Sequence, residues 1–219
     1  MNKVLVFAVH PDDETLGCGG SLLKHKADGD EIHWLICTKA DSDSAFYQKR
    51  EEEITLVADE YGFSTIQRLD FKAMCVDQYS VSALIEQISK VMNTVKPNVV
   101  YLPFHNDVHS DHRRIFEAAY SCTKNFRYPF IDKIYMMEVL SETEFGLSIP
   151  GMAFSPNSFV DISEYLEKKI EIMKRYESEI ALHPFPRSPD SIRALAKLRG
   201  STIGCNYAEA FMLLKEIVK

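Results

Sequence analysis

The 219-residue chain lacks the features that mark a membrane-spanning, secreted or nucleic-acid-binding protein. No apolar run approaches the ~20 residues that a spanning helix needs. Lys and Arg number 25 against 32 Asp and Glu, a balance of −7. That balance argues against the basic surface by which nucleic-acid binders hold phosphate. It argues equally against a polybasic anchor on anionic lipid. The five cysteines, Cys18, Cys37, Cys75, Cys122 and Cys205, form no CxxC pair. An odd, unpaired set predicts a reducing compartment and not a disulfide framework. The start, Met1-Asn2-Lys3-Val4-Leu5-Val6, lacks a signal-peptide layout, because its short apolar stretch runs straight into His10-Pro11-Asp12-Asp13. Repeats, low-complexity tracts and charge blocks are also missing. What is there is an ordinary globular composition, 46% hydrophobic and 26% charged. A chain of this length buries roughly 70–75% of its unfolded surface and needs no structural metal merely to fold. The expectation is one acidic, cytoplasmic domain over residues 1–219, with no nucleic-acid or membrane partner.

Short apolar runs alternate with helical periodicity. Lys3–Val9, Glu31–Thr38, Thr65–Leu69, Asn98–Leu102 and Ile131–Val139 read as strands. Leu16–Asp28, Ser44–Tyr61, Val81–Val95 and about 111–123 read as helices. A further helix is expected to start at Asp161-x-x-Glu164. Val81–Val95 has the cleanest apolar stripe, and Pro97 blocks its continuation. The stretch 140–158 shows no pattern, 183–189 should be extended because it holds three prolines, and 191–199 and 207–218 read as helical. Strand–helix alternation at this spacing implies right-handed βαβ units. The fold class is therefore α/β, three layers, with a mostly parallel sheet and helices on both faces. Such sheets place ligands at the carboxyl ends of their strands.

Two polar clusters follow strands directly. One is His10-Pro11-Asp12-Asp13-Glu14-Thr15-Leu16-Gly17-Cys18-Gly19-Gly20, the other His105-Asn106-Asp107-Val108-His109-Ser110-Asp111-His112-Arg113. Adjacent strands would bring both to one sheet edge. Imidazoles with a carboxylate suit a borderline cation such as zinc. His10 and Asp13 are close enough to share one ion, and His112 is available as a third ligand. Asp12 and Asp13 diverge as neighbours, so one can ligate while the other acts as a base toward a metal-activated water. His109, three residues before His112, sits beside the ion as a positive partner or proton donor, with Asp111 holding its tautomer. A competing reading makes Asp12, Asp13 and Glu14 a helix cap with first-turn acids. Gly17-Cys18-Gly19-Gly20 is not a dinucleotide motif; it serves tight packing or close substrate approach. Cys18 reads as a buried filler. His25 and His33 show no partners in the sequence and read as structural.

These residues resemble the PIG-L/LmbE family of zinc-dependent N-acetylglucosaminyl de-N-acetylases. His10-Pro11-Asp12-Asp13-Glu14 with the following glycines resembles its first motif, and His109-Ser110-Asp111-His112 its second. Arg50-x-x-Glu53, Arg199-Gly200 and Tyr207-Ala208-Glu209-Ala210-Phe211 resemble weaker ones. The resemblance implies a Rossmann-like fold and one Zn2+, or another divalent ion such as Fe2+ or Co2+, held by His10, Asp13 and His112. It implies Asp12 as general base, and His109, oriented by Asp111, as the positive group or acid beside the oxyanion. The implied substrate is a small N-acetylated sugar or its conjugate. Asp107 stands where some relatives carry an oxyanion-binding tyrosine. Arg50 is a candidate substrate contact or else a surface salt bridge with Glu53. His183 reaches the site, its own or that of a neighbouring copy in a homo-oligomer, or else fixes a proline-rich loop. Specificity is assigned to loops 39–48, 140–158 and 183–190.

Two other functions fit parts of the pattern. Asp107-x-His109-x-Asp111-His112 matches the binuclear motif of metallo-β-lactamase-like hydrolases, which need further ligands downstream. A non-enzymatic sugar- or nucleotide-binding module would use the glycine-rich turn as an anion site.

Overall fold

The computed structural model describes residues 1–40 and 45–219. The expected helix start at Ser44 and the middle of the 39–48 loop lie outside them. Among the described residues, seven strands form one sheet: β1 (Lys3–Ala8), β2 (Glu31–Lys39), β3 (Thr65–Lys72), β4 (Val99–Leu102), β5 (Lys133–Met137), β6 (Ser158–Asp161) and β7 (Ala208–Glu216). Their order is β3-β2-β1-β4-β5-β7-β6. The first five run parallel, and β7 lies antiparallel between β5 and β6. The helices are α1 (Asp13–Ala27), α2 (Ala45–Tyr61), α3 (Val81–Val95), α4 (Ser110–Ser121), α5 (Leu166–Met173) and α6 (Pro189–Ile203). No helix among the described residues is long and apolar enough to cross a membrane.

The continuous apolar run of β1 has a simple cause. Val4, Val6 and Ala8 face a core completed by α1, α2, α5 and α6. Leu5, Phe7 and Val9 face a second core completed by α3 and α4. A strand covered on both faces needs apolar residues at every position. Burying each of its large side chains contributes roughly 1.5–3 kcal/mol. Helix α3 begins where Ser80 Oγ accepts from the Ala83 N–H, and it ends at Lys96 in left-handed conformation before Pro97.

Three expectations change. Residues 208–216 form strand β7, although Ala-Glu-Ala-Phe-Met-Leu-Leu favours a helix; pairing on both sides with β5 and β6 overrides intrinsic preference. The patternless stretch ends in the short strand β6, and Asp161 closes that strand instead of capping a helix. Its carboxylate accepts from the Ser163 N–H at 2.9 Å, and α5 starts only at Leu166. Residues 182–188 are not extended but make two successive turns, Phe185 N–H to Leu182 O and Ser188 N–H to Phe185 O, both 3.0 Å.

Sheet order reverses at β1. The chain moves from β1 through β2 to β3 on one side, then crosses to β4 on the other. The crevice at the carboxyl ends of β1 and β4 is the switch point where such sheets bind ligands. Both polar clusters emerge there.

Candidate active site

After β1 the backbone turns sharply through Asp12, whose φ of 137° is rare for any residue but glycine. Local bonds hold it. The Asp12 N–H donates to Glu14 Oε2 at 3.2 Å, and its carbonyl accepts from Thr15 and Leu16 at 3.0 and 2.9 Å, starting α1. Glu14 is fully buried, with the Thr15 and Tyr176 hydroxyls each 2.7 Å from Oε1. Burial pushes its carboxyl up to about 7. Asp13 Oδ2 accepts from the His10 N–H at 2.8 Å. The helix-cap reading fails for Asp12, whose side chain makes no capping bond. Both Asp12 and Asp13 are buried, and both line the cavity.

The glycines that follow are spacers. A Cβ on Gly19 would lie 2.5 Å from the Tyr61 hydroxyl, and one on Gly20 2.7 Å from Ile162. Gly17 is similarly pressed by Met137. Side chains fill the space that an anion-binding turn would need, so the nucleotide-module reading loses its site.

After β4, His109 caps α4. Its Nδ1 accepts from the Asp111 N–H at 3.1 Å, which leaves the ring proton on Nε2. Burial and the neighbouring His10 hold His109 below the ordinary imidazole range. His112 is fully buried, with Nδ1 2.8 Å from Asp107 Oδ2. Its Nε2 lies 3.3 Å from Asp13 Oδ2 but is not aligned for a hydrogen bond, so it has no partner. Burial opposes charge on His112, but Asp13 and Asp107 outweigh it and push the imidazole up to about 9. Asp107 also accepts from the Thr143 hydroxyl at 2.7 Å.

Asp111 meets His109 through its backbone N–H and not through its carboxylate. Its carboxylate lies 3.2 Å from His10 Nε2 and accepts from the Met74 and Val76 N–H groups at 2.7 and 3.1 Å. The cause is local: His109 is used as the cap, and the first turn of α4 places the Asp111 carboxylate against His10. His10, Asp13 and His112 each bring one ligand-type atom within 4.8 Å of the others. So do His10, His109 and Asp111. The binuclear reading fails among the described residues, because Asp107 is spent on His112 Nδ1 and His183 joins neither cluster.

A cavity of ≈ 340 Å3 opens over these groups. Arg187 Nη1 bridges Asp12 Oδ2 at 2.7 Å and Glu179 Oε2 at 2.8 Å. Burial and the charge of Asp13 push the Asp12 carboxyl well above its usual range, against the pull of Arg187. Arg50 lines the cavity but is committed elsewhere: to the Pro11 carbonyl at 3.2 Å, to Glu53 at 3.3 Å and to Glu179. Its ion pair with Glu53 is buried, not on the surface. His183 is exposed and does not line the cavity, whereas Arg187, four residues on, does. His105 packs its ring on Phe104 and Phe116. Sequence reasoning missed Arg187, which stood unweighed in a segment already singled out. It missed Glu142, which lies in a stretch with no pattern at all. It met Asp107 as a substitution for a tyrosine and as a member of the binuclear motif, not as the partner of His112.

The fold and these groups together define a hydrolytic site at a sheet switch point. The chain belongs to the PIG-L family: the family model described as GlcNAc-PI de-N-acetylase matches residues 5–123, which reach the end of α4 and include both motifs. Membership makes it an amidohydrolase, a deacetylase in reaction class. Diacetylchitobiose deacetylase of Thermococcus kodakarensis is 25% identical over 232 residues, covering 99% of this chain and 85% of that one. The inhibitor-bound N,N'-diacetylchitobiose deacetylase structure from Pyrococcus horikoshii superposes with TM-score 0.79 at 22% identity, covering 98% and 84% of the two chains. GalB, a 4-carboxy-2-hydroxymuconate hydratase from Pseudomonas putida KT2440, superposes with TM-score 0.75 at 17% identity, covering 100% and 98%. The same fold is thus found in proteins described as a deacetylase and as a hydratase.

Proposed function

We propose that the chain removes the acetyl group from a small N-acetylated amino sugar or its conjugate, using one divalent ion, Zn2+ before Fe2+ or Co2+, held by His10, Asp13 and His112. The observation that carries this reading is the buried, unpartnered Nε2 of His112. Asp107 takes the other ring nitrogen, so Nε2 faces Asp13 and is the atom that would give up its proton to hold an ion with Asp13 and His10. Leaving a polar atom buried and unpaired costs about 1–3 kcal/mol. Two imidazoles and one carboxylate form the three-ligand set of a catalytic zinc. Asp111 holds His10 as Asp107 holds His112, the second layer that fixes ligand rings.

When bound, the ion polarises the acetyl carbonyl and acidifies water. Asp12 takes a proton from the attacking water and delivers one to the departing nitrogen. Arg187 fixes the Asp12 carboxylate in the cavity wall. His109 presents Nε2–H, not an imidazolium, to the carbonyl oxygen as it gains charge. The cavity volume suits a sugar-sized ligand.

The test is acetate release from N-acetylglucosamine and N,N'-diacetylchitobiose, before and after chelation. Turnover that disappears with the metal and returns on adding Zn2+ is expected. Purified protein that holds no divalent ion and turns over equally well in chelator sinks the reading.

A further inference from the structure

Glu142 has no part in the scheme above, yet it lines the same cavity as Asp12, Asp13, His109 and Arg187. Its Oε2 is shut from solvent and has no hydrogen-bond partner. Seven described residues have such a side-chain atom, and three of the seven, on His112, Glu142 and Arg187, stand at this site. The turn that carries Glu142 is fixed to the site itself. Its carbonyl accepts from the Val108 N–H at 3.1 Å. Thr143 Oγ1 accepts from the Val139 N–H at 2.9 Å and donates to Asp107 at 2.7 Å. The carboxylate that orients His112 thus also pins the turn presenting Glu142.

The donors and acceptors of an acetamide can be matched one by one. Its carbonyl oxygen has the ion and His109 Nε2–H. Its N–H needs an acceptor. Asp12 already accepts from Arg187 and handles the transferred proton. Asp13 is assigned to the ion, Glu179 is held by Arg187 and Arg50, and Glu53 does not line the cavity. Among the described residues, Glu142 Oε2 is the acceptor left over among the carboxylates lining the cavity. Resting on the deacetylase reading, we infer that Glu142 accepts the hydrogen bond of the substrate's acetamide N–H and holds the same nitrogen as it leaves. Hydrolysis forms the bond from water oxygen to acyl carbon and breaks the C–N bond. The nitrogen gains one proton through Asp12, and Glu142 transfers nothing. The nitrogen passes from neutral amide toward ammonium, so its attraction to a carboxylate grows along the reaction and the contact favours the transition state over the substrate. The same contact selects amides over esters and amine-bearing products over anionic ligands.

Glu142→Gln keeps the shape and removes the charge; Glu142→Ala removes the side chain. Holoenzyme of both, with zinc content measured, is compared with wild type on N,N'-diacetylchitobiose and on 4-nitrophenyl acetate, an ester without N–H. Binding of glucosamine is followed separately by titration. Expected are full zinc content, about tenfold or greater loss of kcat/KM on the amide, little change on the ester, and about tenfold weaker glucosamine binding. Equal loss on amide and ester, or unchanged glucosamine binding in both variants, overturns the inference. A wild type that binds glucosamine through Glu142 yet releases no acetate overturns the deacetylase reading, and with it the role of Glu142 toward a leaving nitrogen.

Discussion

The two ends of β1 carry similar side chains and opposite arrangements. At its amino end, Asn2 N–H and Nδ2 donate to the two oxygens of Asp30 at 2.6 and 3.0 Å. His25 uses both ring nitrogens, Nδ1 with Asp30 at 2.8 Å and Nε2 with the Tyr101 hydroxyl at 3.0 Å. Asn98 closes the ring by donating to Asn2 at 2.9 Å. At the carboxyl end, His112 and Asp107 form an equally short pair, but His112 Nε2, Glu142 Oε2 and Arg187 Nε are left over. Histidine, aspartate, burial and ion pairing are common to both ends. Between His25 and His112 the difference is the unused ring nitrogen: His25 has both paired, and His112 has only Nδ1 paired. A network that satisfies all its members rigidifies the fold; one that leaves aligned atoms unpaired carries that cost until a ligand arrives.

The comparison can be broken by substitution at either end. The largest effect is expected from His112→Ala and Asp13→Ala, which should abolish stoichiometric zinc and lower turnover by about a thousandfold or more; metal analysis alongside acetate release checks both. Asp12→Asn should retain zinc and lose about 10²–10⁴ in kcat. Retained turnover with bound metal removes Asp12 as the base. Asp107→Asn should weaken zinc binding by about 10–100-fold, read by chelator competition, because His112 loses the group that fixes its tautomer.

The amino end should behave in the opposite way. His25→Leu is expected to leave kcat/KM unchanged and to lower stability by about 1 kcal/mol in denaturant unfolding. Asp30 gives this a pH signature. Burial opposes its charge, but the Asn2 and His25 hydrogen bonds outweigh it and hold the carboxyl below the usual range. A carboxylate depressed on folding contributes above its unfolded pKa of about 3.9 and loses that contribution as pH falls through the folded value. Acid unfolding of Asp30→Asn should therefore differ from wild type less at low pH than at neutral pH. A change of turnover in either variant would erase the distinction between the two ends.

Much of this was readable from the chain. The apolar runs of β1, β2 and β4 and the stripe of α3 report burial on two faces and on one, and both motifs sit where a strand must end. The cluster of His10, Asp13 and His112 was legible because its members follow adjacent strands. Other features were not. Residues 208–216 have helical composition but fill a gap between β5 and β6. His183 and Arg187 are equally plausible in a proline-rich segment until its turns expose one and set the other in the cavity wall. The Asp111 carboxylate was paired with His109, two positions before it, although the imidazole it meets is His10, 101 positions away.

The sequence by itself determined the layering, the edge at which chemistry occurs and the residue types gathered there, because hydrophobic period and strand-end motifs are local in the chain. Only the tertiary structure decided which atoms are left unpaired. Hydrogen-bond complementarity is settled between groups tens to hundreds of residues apart, at distances that local pattern does not encode.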